Sequence, residues 1–309
     1  MKKAVSLLLT MLLVLSSFSV NISSGISVEN VVAAEQEDLL TATDKYFTYS
    51  ISGEQVEITG YSDEGPKDVV IPDTLEGYAV TGISFRAFEN MQLTSVIIPE
   101  SVSTIGDSAF RNNQLSEVIL PENVSDIGSF AFSGNSISKV RLESNLSSVG
   151  SLYYGVFGGN AINEVEYGPA VTQIPENFFR DSDLSGAAAE TLIIEGITQV
   201  GSYAFQNSGL TEIVLPESLV NIGRFAFRNN QLSEVILPEG VSTIGDSAFR
   251  NNQLSEVILP ENVSDIGSFA FSGNSISKVR LESNLSSVGW VLYGIFGGNA
   301  INEWNTARR

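Results

Sequence analysis

Carboxylates are the side chains this sequence offers in quantity for acid–base chemistry: 36 Asp and Glu stand against 16 Lys and Arg, with no His and no Cys. The missing imidazole excludes Ser–His dyads, His-ligated metals and an imidazole general base. The missing thiol excludes disulfides, a Cys nucleophile and a lipid anchor on Cys. Paired carboxylates could in principle serve as glycosidase acid and base, but among so many acidic residues suitable spacings arise by accident. No GxSxG elbow sits on a strand-to-helix turn with a plausible base. The turns Gly158-Gly159-Asn160 and Gly297-Gly298-Asn299 lack the Lys and helix that hold phosphate. Asp181 and Asp183 follow neither EF-hand nor nonapeptide spacing. A non-enzyme is expected, with no catalytic residue, no cofactor and no metal. Its net charge of −20 repels nucleic acid and anionic lipid and favours basic partners or cations.

These side chains recur at fixed intervals. Residues 102–150 reappear letter for letter as residues 241–289, and inside each copy a shorter unit repeats every 22 residues. One unit reads Phe110, Asn113, Leu115, Val118, Leu120, Pro121, Val124, Ile127, Gly128, Ala131, Phe132. Self-similarity at this period marks a solenoid, in which each unit buries its apolar face only against its neighbours. Unit starts fall at Ile83, Ile105, Ile127, Val149, Ile174, Val200, Ile222, Ile244, Ile266 and Val288, with insertions at residues 151–155, 290–294 and 184–191. Leu115, Val118 and Leu120 alternate as in a short strand that Pro121 ends. The spacing of Ile127, Ala131 and Phe132 suits a short helical or 3₁₀ turn. The expected architecture is therefore a repeat solenoid with a parallel β-sheet on one face and short helical turns on the other. Asn at three residues after each Phe (Asn113, Asn135, Asn160, Asn230, Asn252, Asn274, Asn299) is expected to satisfy backbone groups at the bends.

Residues 46–50 and 55–61 flank Gly53-Glu54 and read as a hairpin capping the first coil. Upstream, Met1-Lys2-Lys3 precedes an apolar run too short to span a bilayer comfortably, which reads as a secretory signal cleaved near Ala34. Its removal takes the net charge to −21 through loss of Lys2, Lys3 and Glu29. The expected domains are 1–34 signal peptide, 35–68 N-terminal segment and hairpin cap, and 69–309 a solenoid of about ten 22-residue units, the last incomplete. That last unit reaches Trp304, whose position matches inward Val165, so it is expected to cover the core. An end without a polar cap could also pair with another chain. The aromatics at the insertions (Tyr153, Tyr154, Phe157; Trp290, Tyr293, Phe296) read as packing residues or as exposed anchors.

The pattern LxxVxLP followed by VxxIGxxAFxxNxL resembles the leucine-rich repeats of the BspA, or Treponema pallidum, type. The opening coil, Val69-Val70-Ile71-Pro72 through Gly82-Ile83 into Ala87-Phe88, is similar to that family's entry segment. Pro175 in place of Gly, and Glu195 in place of Pro, depart from the pattern. The resemblance implies an exported, secreted or cell-surface bacterial protein, a protein-binding or adhesion module, without naming a ligand.

On the outward face of the strands two ladders are expected. One is aliphatic: Ile97, Ile119, Ile193, Val214, Ile236 and Ile258. The other is charged: Glu117, Glu212, Glu234 and Glu256, with Lys139, Arg141, Lys278 and Arg280 where the sign changes. A greasy stripe beside an acidic one suits an extracellular protein that is basic or extended. Strand propensity and solvation account for the same residues without a ligand, and a passive cell-envelope spacer is the alternative. Because the copies are identical, the second set of charges is inherited with the first.

Overall fold

A computed structural model describes residues 45–150, 155–282 and 294–306. The signal peptide, the segment before Lys45 and the insertion residues 151–154 and 290–293 lie outside the described residues.

The chain enters through an antiparallel hairpin, Phe47–Ser52 with Gln55–Tyr61. Gly53 takes a left-handed φ at its turn, which glycine adopts without steric cost. The second hairpin strand then pairs in parallel with Tyr78–Ile83, so the hairpin closes the first coil. Tyr61 and Phe47 lie against Phe88 at ring centroid distances of 5.3 and 6.2 Å.

Every following coil has three parts. A front segment carries the Val-x-Leu positions, a two-residue back strand ends at Ile-Gly, and an edge of tight turns leads through Ala-Phe to the next coil. The back strands form two parallel ladders. One runs Thr104–Ile105, Asp126–Ile127, Ser148–Val149; the other runs from Gln173–Ile174 through Gln199–Val200, Asn221–Ile222 and Thr243–Ile244 to Asp265–Ile266. Between coils the Gly N–H donates to the Ile carbonyl of the coil before, as from Gly128 to Ile105 at 2.7 Å. Coils approach so closely here that a Cβ on Gly128 would overlap Asp107 N and Gly106 C.

The core is a column of phenylalanines. Phe88, Phe110 and Phe132 stack at 4.9 and 5.0 Å, and Phe205, Phe227, Phe249, Phe271 and Phe296 continue at 5.2 to 5.4 Å. Stacked rings one coil apart keep every unit in the same register. Beside them runs the asparagine ladder. Asn252 Nδ2 donates to Phe227 and Phe249 carbonyls at 2.9 and 3.0 Å, and its Oδ1 accepts from Leu232 N–H at 3.1 Å. Asn113, Asn135, Asn160, Asn230, Asn274 and Asn299 repeat this three-way tie. Ser182 and Ser208 stand in for it on two coils, each donating to one Phe carbonyl.

The turn edge leading into the bends differs from the helical turn that its spacing suggests. In the coil after Gly106, Ser108 and Asn112 take left-handed φ. Ser108, Phe110 and Asn112 donate N–H forward to Ser129, Ala131 and Ser133, while Ala109 and Arg111 donate back to Gly106 and Ser108. A 3₁₀ turn would spend all its donors locally. With left-handed residues four apart, every second donor points along the stack, so the edge is itself a ladder between coils. Among the described residues, the one helix with an assigned span is Ala189–Leu192, inside the 184–191 insertion.

The stack is irregular at Pro175. With no N–H, Pro175 cannot make the Gly-to-Ile bond, and the two back ladders part between Val149 and Ile174. Phe178 fills the position that Ala131 holds in a regular coil and packs edge-on against Phe157 and Phe179 at 5.2 and 4.8 Å. It spreads their rings to 6.2 Å.

Two substitutions test these constraints. Asn252→Ala strands one N–H and two carbonyls, each costing about 1–3 kcal/mol when buried, so urea denaturation should register a loss of about 3 kcal/mol or more. Asn252→Ser should recover part of it. A loss below about 0.5 kcal/mol for the Ala variant would dismiss the ladder as a source of stability. Gly128→Ala should cost about 1–3 kcal/mol through the inter-coil overlap, read in the same experiment.

Candidate functional site

The front face is not one sheet. Asp68–Val70 pairs with Ser95–Ile97. Next, Glu117–Leu120, Lys139–Leu142 and Glu164–Tyr167 form a three-stranded sheet. Last, Glu256–Leu259, Lys278–Leu281 and Glu303–Thr306 form another. Residues 212–215 and 234–237 occupy the equivalent positions but form no strand, and among the described residues no backbone hydrogen bond joins them to each other or to neighbouring front segments.

Side-chain complementarity accompanies the paired junctions, although the junction of Ser95–Ile97 with Glu117–Leu120, which has no like-charge row, is unpaired as well. In the first pair, the Asp68 carboxylate accepts from Thr94 and Ser95 hydroxyls at 2.6 and 2.9 Å, bonds that hold its pKa below the usual range. In the middle sheet, the register sets Glu117, Lys139 and Glu164 side by side, and Ile119, Arg141 and Glu166 beside them. Lys139 Nζ meets Glu164 at 2.8 Å and Glu166 at 2.6 Å. Arg141 meets Glu143 at 2.7 Å and Glu166 at 2.9 Å. These bonds push Lys139 up through Glu164 first and Glu166 second, and Arg141 up through Glu143 first and Glu166 second. Glu166 is held low by Lys139 and then Arg141. Where Glu212, Glu234 and Glu256 would face one another with Val214, Ile236 and Ile258, the segments do not pair. Like charges at strand spacing are unfavourable, and these junctions stay open.

The expected face is therefore present in part. Ile97, Ile119, Val214, Ile236 and Ile258 are exposed, as are Glu117, Glu212, Glu234, Glu256, Lys278 and Arg280. Lys139 and Arg141 are half-buried and spent on the ion network. Ile193 does not belong to the face: it is 2% exposed. The Ala189–Leu192 turn replaces a strand there and brings both Leu192 and Ile193 inward. The continuous ladders expected from the repeat are interrupted at these coils. The repeat count, carried past residues 151–155, already sets Glu164 and Glu166 beside Lys139 and Arg141; the ion network that joins them is visible only in the structure. Trp304 packs edge-on against Phe296 at 5.7 Å yet is 44% exposed, so it covers the last ring only partly.

On the back, a shallow cleft of about 290 Å³ opens at the Pro175 irregularity, lined by Gln173, Glu176, Gln199 and Ser202 among others. Burial raises the Glu176 pKa. Among the described residues no cluster of three or more acidic side chains could hold a metal ion, and no helix is long and apolar enough to cross a membrane.

The chain matches the family model described as "BspA type Leucine rich repeat region", in six copies, over residues 81–192 and 185–294. A leucine-rich repeat protein from Bacteroides ovatus is similar in structure, with a TM-score of 0.52 at 20% identity, covering 84% of this chain and 75% of that one. A leucine rich cell surface protein from Faecalibacterium prausnitzii aligns with a TM-score of 0.43 at 18% identity, over 86% of this chain and 94% of that one. No curated protein matches by sequence. At these identities the structural likeness speaks for the fold alone.

The ion network carries a pH signature. Because the folded pKa of Glu166 is lowered, its contribution is present above the unfolded carboxylate pKa and is lost as pH falls through the folded value. Its carboxylate is about a third exposed, so solvent screening leaves a contribution of about 0.5–1 kcal/mol. Glu166→Gln should lower stability by that amount at neutral pH and match the parent at strongly acid pH. Thermal melts across pH check it; a constant difference at all pH values would remove the carboxylate from the account.

Proposed function

We propose that this chain, which belongs to the BspA-type leucine-rich repeat family, is an exported bacterial surface or secreted protein that binds another extracellular protein, an adhesion module with no catalytic step of its own. Export rests on the basic and apolar leader of residues 1–34.

The observation that carries the binding reading is the open stretch of the front face. Val214, Ile236 and Ile258 are 51, 75 and 42% exposed on successive coils, beside Glu212, Glu234 and Glu256. Unlike Lys139 and Arg141 on the middle sheet, the three Glu side chains make no ion pair among the described residues. A partner that covers the aliphatic row and brings Lys or Arg to the carboxylates would gain apolar burial and relieve the like-charge row together. An extended basic polypeptide fits that demand. The second reading, a passive spacer, is favoured by the exact identity of residues 102–150 and 241–289, since a rod needs only copies.

Binding of the protein without residues 1–34 to immobilised extracellular-matrix and bacterial-surface proteins separates the two. A saturable ligand should emerge whose affinity falls at least tenfold, about 1.4 kcal/mol, in Glu212→Lys/Glu234→Lys/Glu256→Lys and in Ile236→Asp. Unchanged binding by both variants would sink the front-face reading, and no saturable ligand at all would leave the spacer.

A further inference from the structure

The turn edge of the stack carries side chains that the front face does not use. One residue beyond the buried Phe of successive coils stand Arg180, Gln206, Arg228 and Arg250. The rings beneath them are 5.5, 5.4 and 5.2 Å apart, so cationic groups follow one another at coil spacing, interrupted once by an amide. Each guanidinium is braced by an aromatic ring: Arg180 by Tyr203 at 4.9 Å, Arg228 by Phe225 at 5.2 Å and Arg250 by Phe269 at 5.7 Å. Phe225 also carries Arg224 at 4.6 Å and lies 4.8 Å from Tyr203. Its surroundings are occupied, so it holds arginines in place and is not a free stacking platform.

Next to this row runs an exposed amide ladder. Asn251 donates to Asn229 at 2.9 Å, Asn229 to Asn207 at 2.8 Å, and Asn207 to the Asp181 carboxylate at 2.6 Å. A chain of amides bonded in one direction is fixed in orientation and offers its remaining N–H and C=O groups at regular intervals.

The arginines lack anions in a protein rich in them. Arg86, Arg141, Arg180, Arg224 and Arg280 each meet a carboxylate within 4.0 Å. Arg111, Arg228 and Arg250 meet none among the described residues, and the Nε atom of each is buried without an acceptor; of these, Arg228 and Arg250 stand on successive coils. Burial first, and then Arg250 beside it, lowers the pKa of Arg228, yet a guanidinium stays charged at neutral pH. Two neighbouring cations, braced and unneutralised, repel each other until an anion bridges them.

We propose that Arg228 and Arg250, with the exposed Asn207, Asn229 and Asn251 beside them, bind a linear acidic polysaccharide along the axis of the stack. Its carboxylate or sulfate groups meet the guanidinium forks, and its hydroxyls meet the amides. Spacing and composition select this polymer. An extended acidic peptide presents one face every 6.4–6.8 Å or so and drifts out of step with coils 5.2 to 5.5 Å apart. Duplex DNA carries a charge about every 1.7 Å, far denser than the row. A polysaccharide chain advances roughly one sugar per coil and mixes acidic with neutral hydroxylated groups, as this edge sets its guanidinium pair beside an exposed amide ladder. Asp181 and Asp246, two carboxylates on the same edge, are already paired with Arg180 and Arg224. Acidic groups elsewhere on the coil are screened over about 8 Å at physiological salt.

The test measures binding of the purified protein to heparin, hyaluronan, neutral dextran, duplex DNA and polyglutamate at low and physiological salt. Heparin or hyaluronan should bind, more weakly as salt rises, and dextran should not; which of the two is preferred assigns sulfate or carboxylate as the anion. Arg228→Gln/Arg250→Gln should weaken that binding at least tenfold, and Arg228→Lys/Arg250→Lys, which keeps charge but not the fork, by a smaller factor. Lys278→Gln/Arg280→Gln on the front face should leave it unchanged. Melting curves identify any misfolded variant, in which case the Lys pair decides. Absence of binding to both acidic glycans, equal loss from the front-face pair, or tighter binding of DNA or polyglutamate would overturn the proposal.

Discussion

Everything in this fold depends on one side-chain amide per coil. A 22-residue coil must bend sharply beside its core, and the bend leaves backbone groups facing inward where water cannot reach. Asn252 and its equivalents answer that need with three bonds that span two coils. The same amide that satisfies the bend therefore sets the distance to the next unit, and the phenylalanine column keeps that distance through the core. Stability is local in origin and propagates only between neighbours. Serine at residues 182 and 208 retains the bond to a Phe carbonyl but lacks the amide's full reach, and it does so beside the insertion where the front strand gives way to a helical turn.

Once spacing is fixed from inside, the three surfaces of the coil face different physical demands. The back ladder needs a donor at Ile-Gly and parts where Pro175 supplies none. The turn edge forms a ladder through left-handed residues four apart. The front is bonded in separate short sheets, where hydroxyls meet Asp68 or where Lys139 lies between Glu117 and Glu164. It is unpaired at the like-charged Glu212 and Glu234 coils and also between Ser95–Ile97 and Glu117–Leu120, so favourable charge supports pairing here without dictating it.

The repeat made the coil, the buried Asn and the capping hairpin legible in the sequence, since each follows from residue type at a fixed interval. The turn edge was not, because Ile127, Ala131 and Phe132 have helical spacing whichever way the intervening residues turn. Left-handed φ at Phe130 is set by the neighbouring coil, not by its own chemistry. Ile193 failed for a similar reason. Extending the 22-residue count through an insertion assumes that added residues leave the register alone, and residues 184–191 shift it inward. The arginine row was visible as a recurrence one position after Phe. Its meaning needed the structure, which shows those cations braced by rings and left without carboxylates.

The internal duplication separates what a unit determines from what its neighbours do. Lys139 and Arg141 are bound by Glu164 and Glu166 of the following coil and by Glu143 of their own. Lys278 and Arg280, identical in local sequence, face Glu303 and Asn305 instead. Lys278 reaches Glu303 only at 3.7 Å, and Arg280 keeps only the equivalent of Glu143. The identical segment carries four close ion contacts in one place and two in the other, because the next coil differs. In a stacked protein the functional surface is therefore a property of junctions. Copying a unit copies its core and its ladder bonds, while its binding chemistry is decided again at each new boundary.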